Sequence, residues 1–169
     1  MMEIWNGPMR QANVRAVGKW TELLRHGRQI SAVGGSDFHK PGQFAKLGNP
    51  VTAVYSKSRS ADDILCAIKQ GNCYVAESRD SAKIRLTYGD CVMGQTAVYK
   101  EETTLIIHTD APKVILVTDK YEKELTVMGN SVRVKTGKVK FAYVKVFKGF
   151  GKLKRICAIS NPIYFKEEE

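Results

Sequence analysis

Histidine is scarce in this chain. Its 169 residues include three, His26, His39 and His108, so a metal centre built on several imidazoles has little to draw on. The four cysteines, Cys66, Cys73, Cys91 and Cys157, form no Cys-x-x-Cys pair, which removes the usual zinc-ribbon and dithiol spacings. They sit inside apolar patterns such as Ile64-Leu65-Cys66-Ala67-Ile68, the setting of buried free thiols in a reducing cytoplasm. No run reaches the roughly 18 apolar residues of a membrane-spanning helix. The opening Met-Met-Glu-Ile-Trp-Asn-Gly lacks the basic start and apolar stretch of a signal peptide. A cytoplasmic protein with no membrane partner is expected.

Acidic residues are absent from one long stretch. Between Ser131 and Arg155 stand Arg133, Lys135, Lys138, Lys140, Lys145, Lys148, Lys152, Lys154 and Arg155, with no Asp or Glu. This stretch contributes much of the net charge of +10. Most of these cations alternate with Val, Phe or Ile, which makes them the solvent face of strands first and an anion-binding surface second. Nucleic-acid binders pair such cations with exposed aromatics. Here Phe141, Tyr143 and Phe147 fall at inward strand spacing and belong to a core, so nucleic acid is not the expected partner.

Two regions differ in period. Residues 1–80 alternate strand-like and helix-like segments. A strand at Met2–Trp5 is stopped by Asn6-Gly7-Pro8, and a helix over Gln11–His26 carries Val14, Val17, Trp20, Leu23 and Leu24 at helical spacing. Gly27 supplies its stop. Strands follow at Gln29–Val33 and Val51–Tyr55. A second helix is capped by Ser60, with Asp62 and Asp63 in its first turn, and ends at Gly71 before a strand at Cys73–Ala76. That alternation is the grammar of a parallel α/β fold. Residues 82–169 offer only short strands and turns, the pattern of a small antiparallel β-sandwich with lysine-guarded edges.

The segment richest in chemistry is Gly34-Gly35-Ser36-Asp37-Phe38-His39. It follows the apolar run ending at Val33, and an extended backbone would put Asp37 and His39 on one side. A hard oxygen ligand beside a nitrogen ligand suits Zn, Mn or Fe. Read blandly, the pair is a polar surface turn. Two ligands fall short of the three protein ligands that a catalytic zinc takes. Ser36 has no base beside it in sequence, which leaves a nucleophile role unsupported. His26 reads as a helix-end cation and His108 as a strand residue.

Glu3-Ile4-Trp5-Asn6-Gly7, Ala32-Val33-Gly34-Gly35-Ser36-Asp37-Phe38-His39, Leu47-Gly48-Asn49-Pro50-Val51-Thr52, Arg59-Ser60, Gly71-Asn72-Cys73-Tyr74-Val75 and Ala158-Ile159-Ser160-Asn161-Pro162-Ile163-Tyr164 occur in an order that resembles the PHP (polymerase and histidinol phosphatase) superfamily. The similarity is greatest to its carbaryl-hydrolase-like branch of metal-dependent hydrolases. The resemblance implies an α+β architecture: C-terminal strands and helices of a distorted β/α barrel over 1–80, then a small antiparallel β-sandwich over 82–169. Asp37 and His39 match the family's final metal motif, and its opening His-x-Asp-x-His is absent. The chain therefore looks like the C-terminal portion of such an enzyme. The complete protein would bind a divalent metal (Zn, Mn or Fe) and hydrolyse an ester or phosphoester, and this portion would be inactive alone.

In the same frame Asn6 falls at the metal end of the barrel and would orient substrate. Its bland reading is a turn residue bonded to its own backbone. Lys40 and Arg59 lie in loops at a similar stage of each unit and would meet a phosphate or carboxylate. The expected partner is a second copy of the chain or the missing N-terminal barrel portion. Two alternatives stand beside the hydrolase. One is a non-catalytic interaction module from a split or decayed gene, and the other is a basic domain binding anions or nucleic acid.

Overall fold

The computed structural model describes residues 1–41, 46–149 and 155–167. The first unit is strand–helix–strand. β1 (Met2–Asn6) leads into α1 (Gln11–Arg25), which returns to β2 (Ala32–Gly35), parallel to β1. α1 buries Val17, Trp20 and Leu24, as its apolar spacing requires; Val14, expected on that face, is exposed. Gly27 at φ 79° ends the helix and donates its N–H to the Leu24 carbonyl at 2.9 Å, a left-handed cap that glycine adopts without steric cost.

β3 (Val51–Val54), α2 (Ala61–Gln70) and β4 (Cys73–Ala76) follow. Ser60 caps α2 by accepting the Asp63 N–H at 3.2 Å, and Gly71 at φ 79° closes it. The remaining strands are β5 (Ile84–Tyr88), β6 (Cys91–Val92), β7 (Thr96–Val98), β8 (Leu105–Thr109), β9 (Lys113–Thr118), β10 (Glu122–Thr126), β11 (Ser131–Val134), β12 (Phe141–Lys148), β13 (Arg155–Ser160) and β14 (Ile163–Lys166).

A central eight-stranded sheet runs β10-β9-β12-β13-β4-β3, with β14 beside β12 and β7 beside β14. A four-stranded sheet, β11-β8-β5-β6, covers one of its faces, and the β1-α1-β2 unit covers the other. Strands of the central sheet therefore carry apolar side chains on both sides. Ala142, Val144 and Val146 of β12 pack with Ile84, Leu86, Leu105 and Ile107. Phe141 and Tyr143, between them in sequence, pack with Ile4, Val17, Trp20 and Leu24. The two aromatics are thus core, as their spacing predicts. The Tyr143 ring lies 4.9 Å from that of Trp20, tilted by 56°, and its hydroxyl meets the Thr21 hydroxyl at 2.7 Å.

The expected partial β/α barrel is not the fold. Strands dominate, the described residues hold two helices, and no barrel closes. Parallel pairing is confined there to β1–β2 and β7–β14. The alternation of strands and helices in the first 80 residues misleads at α2: this helix joins β3 to β4, which pair antiparallel with each other, and β4 then pairs with β13 in the antiparallel sheet. A barrel strand needs a strand on both edges, and β2 has one only on the β1 side. Its other edge is satisfied by side chains. Thr52 Oγ1 accepts the Gly34 N–H at 2.9 Å and donates to the Gly34 carbonyl at 2.8 Å. Asn161 Oδ1 accepts the Ala32 N–H at 2.7 Å, while Nδ2 donates to the Ala32 and Cys73 carbonyls at 3.0 Å each. Asn13 treats β1 likewise, bonding the Asn6 N–H at 3.2 Å and the Asn6 carbonyl at 3.1 Å. Each of these side chains does for one peptide what a neighbouring strand would do.

Candidate metal-ligand pair and adjoining cleft

The carboxyl ends of β1 and β2 lie side by side, with Asn6 opposite Gly35 and the Gly7 N–H bonded to the Gly35 carbonyl at 2.9 Å. Gly34 is pressed so closely that a Cβ there would fall 2.5 Å from a Val75 methyl and 3.0 Å from the Trp5 carbonyl. Such an approach admits no side chain, and it holds the end of β2 down on the central sheet. The chain then leaves the sheet through Asp37 at φ 51°, a left-handed conformation that Asp tolerates better than most residues. The turn folds His39 back, and its Nε2 lies 2.9 Å from Asp37 Oδ1. Both side chains are solvent-accessible, 72% for His39 and 52% for Asp37.

The donor chemistry, carboxylate plus imidazole, fits two positions of a divalent-metal site. Two ligands at ~2.0–2.2 Å from one tetrahedral ion stand about 3.4 Å apart, whereas Asp37 and His39 are hydrogen-bonded directly to each other at 2.9 Å. The number does not fit a complete centre. Among the described residues, no group of three or more His, Cys, Asp or Glu could hold an ion.

The other predicted residues are placed as follows. Asn6 is exposed at the end of β1, and its side-chain amide donates to Glu3 Oε2 at 3.2 Å. Its backbone is tied by Asn13, not by its own side chain, so it is no self-bonded turn residue. The Glu3 carboxylate lies over Gly35, where a Cβ would come within 3.3 Å of it. Asn6 and Glu3 thus share the strand-end edge with the Asp37 turn. Lys40 follows His39 directly and is exposed. Arg59 is exposed next to the α2 cap, on a different element from the pair.

Beside this edge a cleft of about 360 Å³ opens between Trp5, Gly7, Met9, Lys46, Glu77 and Arg155, with Pro8, Asn49 and Pro50 completing its wall. Gly7 connects the two features, since a Cβ on it would lie 3.7 Å from the Ser36 carbonyl. Asp37, His39, Asn6, Lys40 and Arg59 are not among the described residues lining the cleft. Glu77 organises its charge: the carboxylate takes Arg155 Nη2 at 2.8 Å and also pairs with Lys148 Nζ. Two cations share one carboxylate and Lys46 adds a third, so the wall is net positive. Sequence reasoning missed Lys46 and Glu77 as site residues. Glu77 directly follows β4, whereas Lys46 lies in the connection before β3 and carried no sequence signal.

Burial accounts for the ionisable groups whose pKa is raised. Desolvation raises the Cys73 thiol from near 9 to about 11, against the Asn161 hydrogen bond that lowers it. Desolvation likewise raises Tyr143 to about 12, its hydrogen bond with the Thr21 hydroxyl opposing it. No helix of the described residues is long and apolar enough to cross a membrane. No family model, curated protein or solved structure matches the chain.

Proposed function

We propose that this chain contributes the Asp37–His39 pair to a divalent-metal centre of a PHP-type hydrolase, and that it is inactive until a second polypeptide supplies the remaining ligands. The observation that carries the reading is the 2.9 Å approach of an exposed carboxylate and an exposed imidazole at the carboxyl end of a strand, where α/β proteins gather their ligands. A metal bound there would supply a hydroxide nucleophile and offset the charge that develops on an ester or phosphoester. The chain's own part is to present two ligands on a turn fixed by the Asp37 backbone, with Asn6 on the neighbouring strand end. The positive wall of Lys46 and Arg155 suits an anionic substrate. The barrel that the family resemblance implies plays no part in this reading; its support is confined to the β1-α1-β2 unit and the turn after it.

The test is metal binding by equilibrium dialysis and calorimetry with Mn²⁺ and Zn²⁺. The expected result is weak one-to-one binding that Asp37→Ala and His39→Ala each abolish, with no hydrolysis of p-nitrophenyl esters or phosphates by the chain alone. Binding that survives both substitutions, or no binding even in millimolar metal, rejects the assignment.

A further inference from the structure

A second cleft, of about 330 Å³, lies at the β9–β10 turn, away from the Asp37 edge. Four lysines line it and come from three separate stretches of chain: Lys120 from that turn, Lys138 and Lys140 from the approach to β12, and Lys166 from the end of β14. Their convergence is a product of the fold, since the basic stretch in the sequence contains only two of them. Elsewhere lysines on the central sheet meet carboxylates at short range: Lys113 and Glu124 at 2.9 Å, Lys145 and Glu122 at 3.0 Å. Here Lys138 reaches Glu167 at 3.8 Å with both side chains largely exposed. Among the described residues, Lys120, Lys140 and Lys166 have no carboxylate within ion-pair distance. Asp119, also on the wall, spends Oδ1 on the Lys140 backbone N–H at 2.8 Å. Among the described residues, four ammonium groups face two carboxylates and give this concave surface a positive potential.

The backbone under these lysines is fixed. Thr118 Oγ1 accepts the Lys120 N–H at 3.2 Å and the Tyr121 N–H at 2.9 Å, and donates to the Tyr121 carbonyl at 3.0 Å, which sets the turn. The Phe165 N–H bonds the Lys140 carbonyl, and the Tyr99 N–H bonds the Lys166 carbonyl, each at 2.9 Å. The remaining wall is apolar or aromatic: buried Val139, half-buried Phe165 and Tyr99. Phe165 is itself held edge-on by Tyr88 at 5.0 Å.

We propose that this cleft binds a small ligand carrying a phosphoryl group on an apolar body, the lysines taking the phosphoryl oxygens and Val139, Phe165 and Tyr99 the body. The volume suits a small molecule. The flexible ammonium groups act as point charges on a phosphate and do not impose the planar fork of arginine. The site is independent of the Asp37–His39 reading.

The test is NMR titration of the intact chain with inorganic phosphate and with phenyl phosphate. Saturable shifts are expected at the amides of Lys120, Val139, Lys140 and Lys166, with phenyl phosphate binding several-fold tighter. The double substitution Lys140→Gln/Lys166→Gln should weaken phenyl phosphate by about tenfold through loss of two charge partners. Lys57→Gln/Lys69→Gln, which removes the same charge from elsewhere, should leave affinity unchanged. Equal losses in the two double variants, equal affinity for the two phosphates, or shifts scattered over all lysines would each overturn the proposal. So would tighter binding of a single-stranded oligonucleotide with steep salt dependence.

Discussion

Replacing Asn161 with leucine keeps the number and branching of side-chain heavy atoms and removes the amide's hydrogen bonds, while the bulkier methyl groups add some overpacking at this buried position. Asn161 is fully buried, and its amide joins β2, at Ala32, to β4, at Cys73. Without it the Ala32 N–H, on a residue that is 0% exposed, has no acceptor on that edge. Leaving such a group unpaired costs about 1–3 kcal/mol. The two carbonyls keep only long partners, the Cys73 thiol at 3.8 Å for Ala32 and the Asn161 backbone N–H at 3.4 Å for Cys73. Each should add about 0.5–1 kcal/mol. The total loss is about 2–5 kcal/mol. With a urea slope of roughly 2 kcal/mol/M, the unfolding midpoint should fall by about 1–2.5 M at constant slope, followed by the fluorescence of Trp5 and Trp20, which lie in the layer that Asn161 holds.

Asn161→Asp separates this account from a generic loss of packing. The carboxylate can still accept the Ala32 N–H, but it faces two carbonyls with nothing to donate. Burial among acceptors raises the pKa of the new carboxyl in the folded state. Its contribution to stability is therefore present below the unfolded value near 3.9 and is lost as pH rises through the folded value. The Asp variant should approach wild-type stability in mild acid and fall away from it near neutrality. A leucine variant within ~0.5 kcal/mol of wild type, inside the range of ordinary surface changes, would refute the edge-capping role, as would an aspartate variant with no pH-dependent deficit.

Other outcomes follow from the same geometry. Gly94→Ala should cost about 3–5 kcal/mol in denaturant unfolding: Gly94 has φ 86°, and a Cβ there would stand 1.7 Å from the Gln70 carbonyl oxygen, which adds overpacking to left-handed strain. His39→Ala should change stability by less than ~0.5 kcal/mol, because its side chain is exposed, whereas Asp37→Ala should cost about 1 kcal/mol, because alanine takes the φ 51° of that position less readily than Asp; circular dichroism on both variants separates lost metal binding from unfolding. Burial raises Cys73 to about 11 and Tyr74, Tyr143 and Tyr164 to about 12. Their stabilising contribution is complete below about pH 9 and declines as pH rises towards 12, so thermal unfolding should weaken progressively over that window. A thiol reagent should modify exposed Cys66 first and buried Cys73 and Cys157 last, read as stepwise mass increase.

Local signals were legible where one residue decides the structure. Ser60, Gly27 and Gly71 mark helix ends by backbone rules that need no distant partner, and all three act as read. Phe141 and Tyr143 were legible as core because alternation fixes which face a strand residue takes. What the sequence could not carry was the identity of each strand's neighbour. A strand–helix–strand pattern is the same string whether the helix crosses between parallel strands, as α1 does, or joins antiparallel neighbours, as α2 does. The decision rests on the far edge of β2, and there on Thr52 and Asn161, which lie 18 and 129 residues from the peptides they bond. The same holds for the sites. Asp37 and His39 were visible because their spacing is local. The lysine cleft was not, since Lys120, Lys140 and Lys166 meet only after β9, β12 and β14 are in register. The basic stretch itself gave a partial view: Lys145 pairs with Glu122, and Lys148 and Arg155 share Glu77, whereas Lys152 and Lys154 lie outside the described residues. Charge that looks continuous along the chain is divided by the fold: sheet lysines meet carboxylates at short range, while Lys138 and Lys140 join Lys120 and Lys166 around a cleft.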